Sequence, residues 1–164
     1  MDSAINIRKA LKSDSEAVWQ ILAPAIAAGE TLAFAPDSSK VDMLNFWLGD
    51  DKDSYVAEWQ GKVVGTFFIK PNQPGLGAHV ANAGYVTAAD QGGKGIGGTM
   101  CKWSLTEAKK LGYQSMQFNI VIKSNDRAVK LWQKLGFQIV GEIPEAFNHQ
   151  QYGLINAYVM WQKL

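Results

Sequence analysis

One cysteine, Cys101, is too few for a disulfide within the chain or for a multi-cysteine zinc site. An excess of positive or negative charge is missing as well. Sixteen Lys and Arg stand against fifteen Asp and Glu over 164 residues, with no basic stripe, so nucleic acid is not an expected partner. No apolar run approaches membrane-spanning length, and residues 1–10 carry no apolar signal core. The expectation is a cytoplasmic protein with no membrane partner. There is also no internal repeat, linker or low-complexity stretch, which predicts one domain over residues 1–164. What is present is globular composition, 47% hydrophobic and 19% charged, with six tryptophans of which most read as core packing, Trp132 being the exception.

The hydrophobic pattern predicts an element order. Ala4 to Ala10 alternates as a short strand. Ser13 and Glu16 have capping-box spacing, and Val18, Ile21, Leu22 and Ile26 follow at helical period, with Pro24 expected to kink or end that helix. After a loop, Gly29 to Ser38, the residues Met43, Leu44, Trp47 and Leu48 predict a second helix. Tyr55 to Trp59 and Lys62 to Lys70 form a hairpin about Gln60-Gly61, and Val80 to Ala88 is the next strand. A helix to about Leu111 turns Ile96, Met100, Leu105, Ala108 and Leu111 inward and stops at Gly112. Then come a strand, Ser115 to Ile122, and a helix, Asn125 to Leu135, with Ala128, Leu131, Trp132 and Leu135 inward. Strands Phe137 to Glu142 and Ala157 to Gln162 close the sheet. The order is β-α-α-β-β-β-α-β-α-β-β, an α/β fold with a mixed sheet that is locally parallel after Val80.

Between a strand and a helix lies Gln91-Gly92-Gly93-Lys94-Gly95-Ile96-Gly97-Gly98-Thr99, with five glycines in seven residues. Such a segment lets the backbone approach a ligand and take positive φ, and the first N–H groups of the following helix form an anion site. Lys94 can add charge beside a phosphate. The plainer reading is a flexible turn before an ordinary helix. Gly93-x-Gly95-x-x-Gly98 also matches the dinucleotide fingerprint. However, it sits in mid-chain, and no Asp or Glu closes the next strand to hold a ribose. A Walker A loop fails because Gly95 follows Lys94 where Ser or Thr is needed.

Gly93-Lys94-Gly95-Ile96-Gly97 resembles the core of the Q/R-x-x-G-x-G/A motif of GNAT acetyltransferases. The run from Asn125 through Ala128, Leu131 and Trp132 to Leu135-Gly136-Phe137 is similar to the family pattern N-x-x-A-x-x-L-Y-x-x-L-G-F. The resemblance implies the GNAT fold over essentially the whole chain and acetyl-CoA as cosubstrate with no metal. The implied cofactor contacts are Lys94, Gly95, Ile96, Gly97, Gly98, Thr99 and Asn125, with Tyr85, Val86 and Thr87 beside the acetyl group. Two positions depart from the pattern. Gly92 stands where the motif leads with Gln or Arg, Gln91 being one residue early. Trp132 stands where many relatives carry a tyrosine that protonates the departing thiolate, and an indole N–H cannot serve as that acid at neutral pH.

Asn82-Ala83-Gly84 and Phe118-Asn119-Ile120-Val121 further resemble a subgroup containing the yeast enzyme that acetylates proline analogues. That similarity implies an amino-acid-like amine bound by asparagine amides. Asn82 and Asn119 lie inside apolar strands, where an amide must find partners, so each either ties down a bulge or faces substrate. We expect both to orient the acceptor, with Glu30 and Thr31 in the acceptor loop. Asn125 can cap its helix or meet the cofactor's amide arm. Arg127 and Lys130 read equally as solvated charges or phosphate contacts. His79 and His149 look like surface histidines, Tyr152 is a remote substitute for the missing acid, and Cys101 reads as packing. Family habit allows a homodimer. The rival from another class is a non-catalytic acyl-CoA-binding module.

Overall fold

The computed structural model describes residues 4–164. One seven-stranded sheet runs in the order β1-β2-β3-β4-β5-β7-β6. The strands are β1 (Asn6–Lys9), β2 (Asp53–Trp59), β3 (Lys62–Pro71), β4 (Val80–Thr87), β5 (Ser115–Ile122), β6 (Gln138–His149) and β7 (Gly153–Lys163). The helices are α1 (Ser15–Ala28), α2 (Lys40–Trp47), α3 (Ile96–Lys110) and α4 (Asp126–Lys134). Every pairing is antiparallel except β4 with β5. The α/β order expected from the sequence is the order observed.

Two apolar clusters cover the two faces of the sheet. Val18, Ile21, Leu22 and Ile26 of α1 pack with Trp47, Val56, Phe68 and Val86. Ile96, Met100, Cys101 and Ala108 of α3 pack with Tyr55, Phe67, Ala81, Met116 and Phe118 on the other face. Alternation along β3 and β4 feeds both clusters, as a sheet buried on two sides requires. The Trp47 indole donates to Thr66 Oγ1 at 2.9 Å, and Thr66 donates on to the carbonyl of Tyr55, which anchors α2 to the sheet. The tight hairpin at Gln60-Gly61 is present, with φ of 51° and 76°.

Four local expectations are corrected. Ser13 and Glu16 do not form a capping box, because residues 12–14 make a 3-10 turn and α1 starts at Ser15. Asp14 takes the anionic role instead: its carboxylate accepts from the Leu11 N–H at 2.7 Å and from the Arg8 guanidinium. Pro24 does not end α1, which continues to Ala28 and stops at left-handed Gly29. Pro24 and Gln20, whose carbonyl loses its partner, both lie on the exposed side where water can replace the bond. Leu111 is 42% exposed rather than inward, since α3 ends at Lys110. Finally, β6 and β7 are longer than expected. Register shifts between Ile139 and Gly141 and between Ile143 and Phe147, with Glu145 at φ 49°, hide the period-two signal while pairing resumes to His149 and Gly153.

Candidate active site

The parallel pairing of β4 and β5 lasts for two residues, Val80 opposite Ser115 and Ala81 opposite Met116. Beyond it the strands diverge, and the Asn82 amide donates to the carbonyl of Gln117 at 3.0 Å at the point of separation. The β5-facing backbone of β4 past this point therefore has no strand partner, and unpaired backbone groups are strong hydrogen-bonding sites.

A cavity of about 680 Å³ opens there. Residues 83–89 of β4 and its exit form one wall, and Phe118 and residues 120–122 of β5 the opposite one. Its inner floor is aromatic. Tyr85 and Trp132 lie 5.3 Å apart between ring centroids, Trp132 and Phe118 likewise 5.3 Å, and Phe118 stacks on Phe137 at 4.2 Å. At one end Ala25, Thr31 and Leu32, from α1 and the loop after it, complete the lining. At the other end stand the glycine segment and the start of α3, faced by Asn125, Arg127, Ala128 and Leu131 of α4.

The start of α3 is built to be open. Gly93 and Gly95 take φ of 80° and 76°, a left-handed turn that suits glycine. Gly95 is the N-cap; no side chain caps the helix and no acid occupies its first turn. Its leading N–H groups thus lack protein partners and its dipole is unneutralised. A Cβ on Gly97 would stand 3.7 Å from Thr87 Oγ1 and 3.9 Å from Leu131, and one on Gly98 would stand 3.4 Å from Leu131. Side chains at these positions would fill the space between the helix start and α4. The donor set and the cleared backbone fit an anionic, phosphate-bearing ligand.

The titratable side chains lining the cavity are Tyr85 and Arg127, with no carboxylate, histidine or thiol among the lining residues. The Tyr85 hydroxyl is paired with Ser104 Oγ at 2.6 Å on α3, and burial pushes its pKa well above the ordinary value. Cys101 lies beside it on the core side of α3, its thiol pushed up to about 12 by burial. Among the described residues no group of three His, Cys, Asp or Glu side chains is placed to hold a metal. No helix among them is long and apolar enough to cross a membrane.

The structure gathers Tyr85, Val86, Thr87, Gly95, Ile96, Gly97, Gly98, Asn125 and Thr31 around the cavity. Others expected at the site stand elsewhere. Asn119 follows Phe118, and alternation along β5 carries its side chain away: it donates to Asn72 Oδ1 at 2.7 Å and accepts from Gln117. Asn82 likewise does not line the cavity; its amide is spent on Gln117. Lys94 donates to Gln91 Oε1 at 2.8 Å and lies 4.9 Å from the Trp59 ring, so it braces the loop. Thr99 donates its hydroxyl to the Gly95 carbonyl. Glu30 is exposed and outside the lining. Asn125 does cap α4, its side chain accepting from the Ala128 N–H at 3.3 Å, and it lines the cavity as well.

His149 is corrected most. It is 5% exposed, and its Nδ1 accepts from the N–H groups of Gln151 and Tyr152 at 3.0 and 3.3 Å. The proton is thus on Nε2, and the ring orders the β6–β7 hairpin tip rather than lying on the surface. Tyr152 is 60% exposed, stacks on His149 at 4.5 Å and does not line the cavity. His79 is exposed as expected. The lining residues Ala25 and Leu32 had no sequence signal of their own, because a ligand-facing apolar residue looks like a core one, and Phe118, Ile120 and Leu131 were marked only by the motifs they fall in.

Comparison with known proteins identifies the class. The sequence model described as "Acetyltransferase (GNAT) family" matches residues 16–137. A GCN5-related N-acetyltransferase from Kribbella flavida is 36% identical and superposes with a TM-score of 0.92 over 98% of each chain. N-acetyltransferase aca1 of Schizosaccharomyces pombe is 33% identical over 103 residues, 62% of this chain and 49% of the relative, so the match spans about half of that protein. The yncA protein of Salmonella typhimurium, solved with its cofactor acetyl-CoA, is 21% identical and shares the fold at a TM-score of 0.83 over 99% of this chain and 95% of its own. The chain belongs to the acetyltransferase (GNAT) family.

Proposed function

We propose that the chain transfers an acetyl group from acetyl-CoA to a small amine, with the glycine segment holding the pyrophosphate and the diverging β4 and β5 holding the reacting groups. The observation that carries this reading is the continuous cavity, which joins an uncapped helix start at one end to the loop after α1 at the other. The acetyl-CoA-bound relative of the same fold supports it. Acetyl-CoA supplies a thioester whose C–S bond breaks as the amine forms its C–N bond, the amine proton passing to water and the coenzyme leaving as thiolate.

The chain's own part is positioning and electrostatics. N–H groups of Ile96, Gly97 and Gly98 receive phosphate oxygens. Asn125 holds the start of α4 against the pantetheine arm. Those N–H groups within Gly84 to Thr87 that face β5, where the strand has no partner, polarise the thioester carbonyl, which is where charge develops. Thr31, Leu32 and Ala25 bound the space for the acceptor, and the aromatic floor of Tyr85, Phe118 and Trp132 keeps water from the thioester. Asn82 acts through the backbone, holding open the wedge. The amine class is set by the acceptor end; an amino-acid-like or cyclic amine is the first to test, and the cytoplasm is the compartment that fits.

The test has two stages. Calorimetry should show that acetyl-CoA binds and NAD does not. A thiol-release assay across an amine panel should then show coenzyme A appearing only with an acceptor. Binding without release for any amine would favour the acyl-CoA-binding module, for which the absence of a titratable base in the cavity speaks.

A further inference from the structure

The chain has two arginines, and they stand in opposite situations. Arg8 is saturated: its guanidinium meets both oxygens of Asp14 at 2.8 and 2.9 Å and Glu58 at 2.7 Å. Arg127, in the first turn of α4, takes part in none of the ion pairs and side-chain hydrogen bonds formed among the described residues. Among the described residues it is the one charged side chain lining the cavity. Its Nη1 stands 3.7 Å from where a Cβ of Gly92 would be, while the corresponding positions on Gly93, Gly95, Gly97 and Gly98 have no Arg127 atom within reach. The fork is therefore offset from the helix start and placed over the outer rim of the glycine segment. There Gly92 leaves room beside it, at the motif position where relatives carry Gln or Arg.

We propose that Arg127 binds the ribose 3′-phosphate of the coenzyme and makes the site selective for coenzyme A over its 3′-dephospho form. The inference rests on the acetyl-CoA reading above. The N–H groups at the start of α3 serve the pyrophosphate, and a ligand laid from the β4–β5 wedge across that helix start reaches the rim with its nucleotide end. The phosphate left without a partner there is the 3′ one. A planar guanidinium with no carboxylate of its own suits it, because a bidentate fork matches phosphate oxygens and stays charged at any working pH.

The experiment is titration calorimetry with coenzyme A and 3′-dephospho-coenzyme A on the wild-type chain and on Arg127→Gln, Arg127→Lys and Lys130→Gln. Arg127→Gln should weaken coenzyme A by about tenfold, the scale of one exposed charge-assisted contact. It should leave the dephospho form unchanged, and wild-type affinity for the dephospho form should match that of the variant for coenzyme A. Arg127→Lys should recover part of the loss, and added salt should shrink it. Lys130→Gln, which removes the same charge outside the cavity, should change little. An unchanged coenzyme A affinity in a folded Arg127→Gln protein, or an equal loss for both ligands, overturns the assignment. Failure of the wild type to bind either ligand overturns the acetyl-CoA reading itself, and the assignment with it.

Discussion

The side-chain nitrogen of Asn82 lies 3.0 Å from the carbonyl oxygen of Gln117, one residue past the last paired position of β4 and β5. The amide completes the ladder from a side chain where the backbones have begun to part, so it sets where the wedge starts. Asn82→Ala should leave a partly buried carbonyl unpaired, at about 1–2 kcal/mol, and lower Tm by a few degrees. It should also lower kcat more than it raises KM for acetyl-CoA, because the wedge rather than the phosphate cradle is disturbed. Unchanged stability and unchanged kcat would show that the strands part without this bond.

Gly97 separates stability from binding. A Cβ there meets its neighbours at ordinary contact distances, so Gly97→Ala fits the apo fold. Alanine in a helix is favoured over glycine by about 0.5–1 kcal/mol, and Tm should rise accordingly. The added methyl occupies the space expected for the pyrophosphate, so acetyl-CoA affinity should fall by at least tenfold. Thermal melts and calorimetry on one variant would show the two changes with opposite benefit. A gain in both would remove the ligand from this loop.

Trp132 packs on Tyr85, Phe118 and Phe137 and has no proton to give. Trp132→Phe should keep the floor with a smaller ring and cost kcat less than about tenfold, the effect of slightly poorer positioning. A loss of several orders of magnitude in a protein of normal Tm would reveal a specific role for the indole.

Acid should act on the fold through Asp14. The Arg8 hydrogen bonds hold its carboxyl below the ordinary 3.8, helped by the Leu11 N–H, while burial opposes them. A depressed folded value means that its stabilisation is complete above the unfolded pKa and is lost as pH falls through the folded one. Melting temperature should thus be flat from neutrality to about pH 5 and fall below about pH 4. Asp14→Asn should lower Tm at pH 7 by several degrees, for a charge-assisted bond of about 1–3 kcal/mol, and flatten the acid limb. An acid limb of unchanged steepness would place the acid sensitivity elsewhere.

The fold was legible because most elements carry their own period, down to the hairpin at Gln60-Gly61 and the stop at Gly112, while the register shifts in β6 hid how far the last two strands run. The glycine segment was legible too, since five glycines in a turn cost too much order to be incidental. What failed to show depends on partners far away in the chain. Asn119 reads as a buried amide seeking a ligand until Asn72, 47 residues distant, is seen to take it. His149 looks like a loop histidine because its partners are the backbone N–H groups of its own hairpin tip, which sequence does not display. Asp14 rather than Ser13 accepts at the helix start, its carboxylate held there by Arg8 on β1, which the local pattern does not display. The motif position of Trp132 placed it near the chemistry, but its part in an aromatic floor with Phe118 did not show, because both have the spacing of core residues and only the parting of β4 from β5 opens a cavity against them.

On the proposed mechanism acetyl transfer occurs in a cavity to which the described residues bring no side-chain base, and the acceptor amine loses its own proton to water. Two pH–rate profiles test it most directly, taken with acceptors whose amine pKa values differ by at least about two units. In both, kcat/KM should rise with pH and break near the pKa of that profile's own amine. Breaks at one shared pH would show that a protein group takes the proton instead.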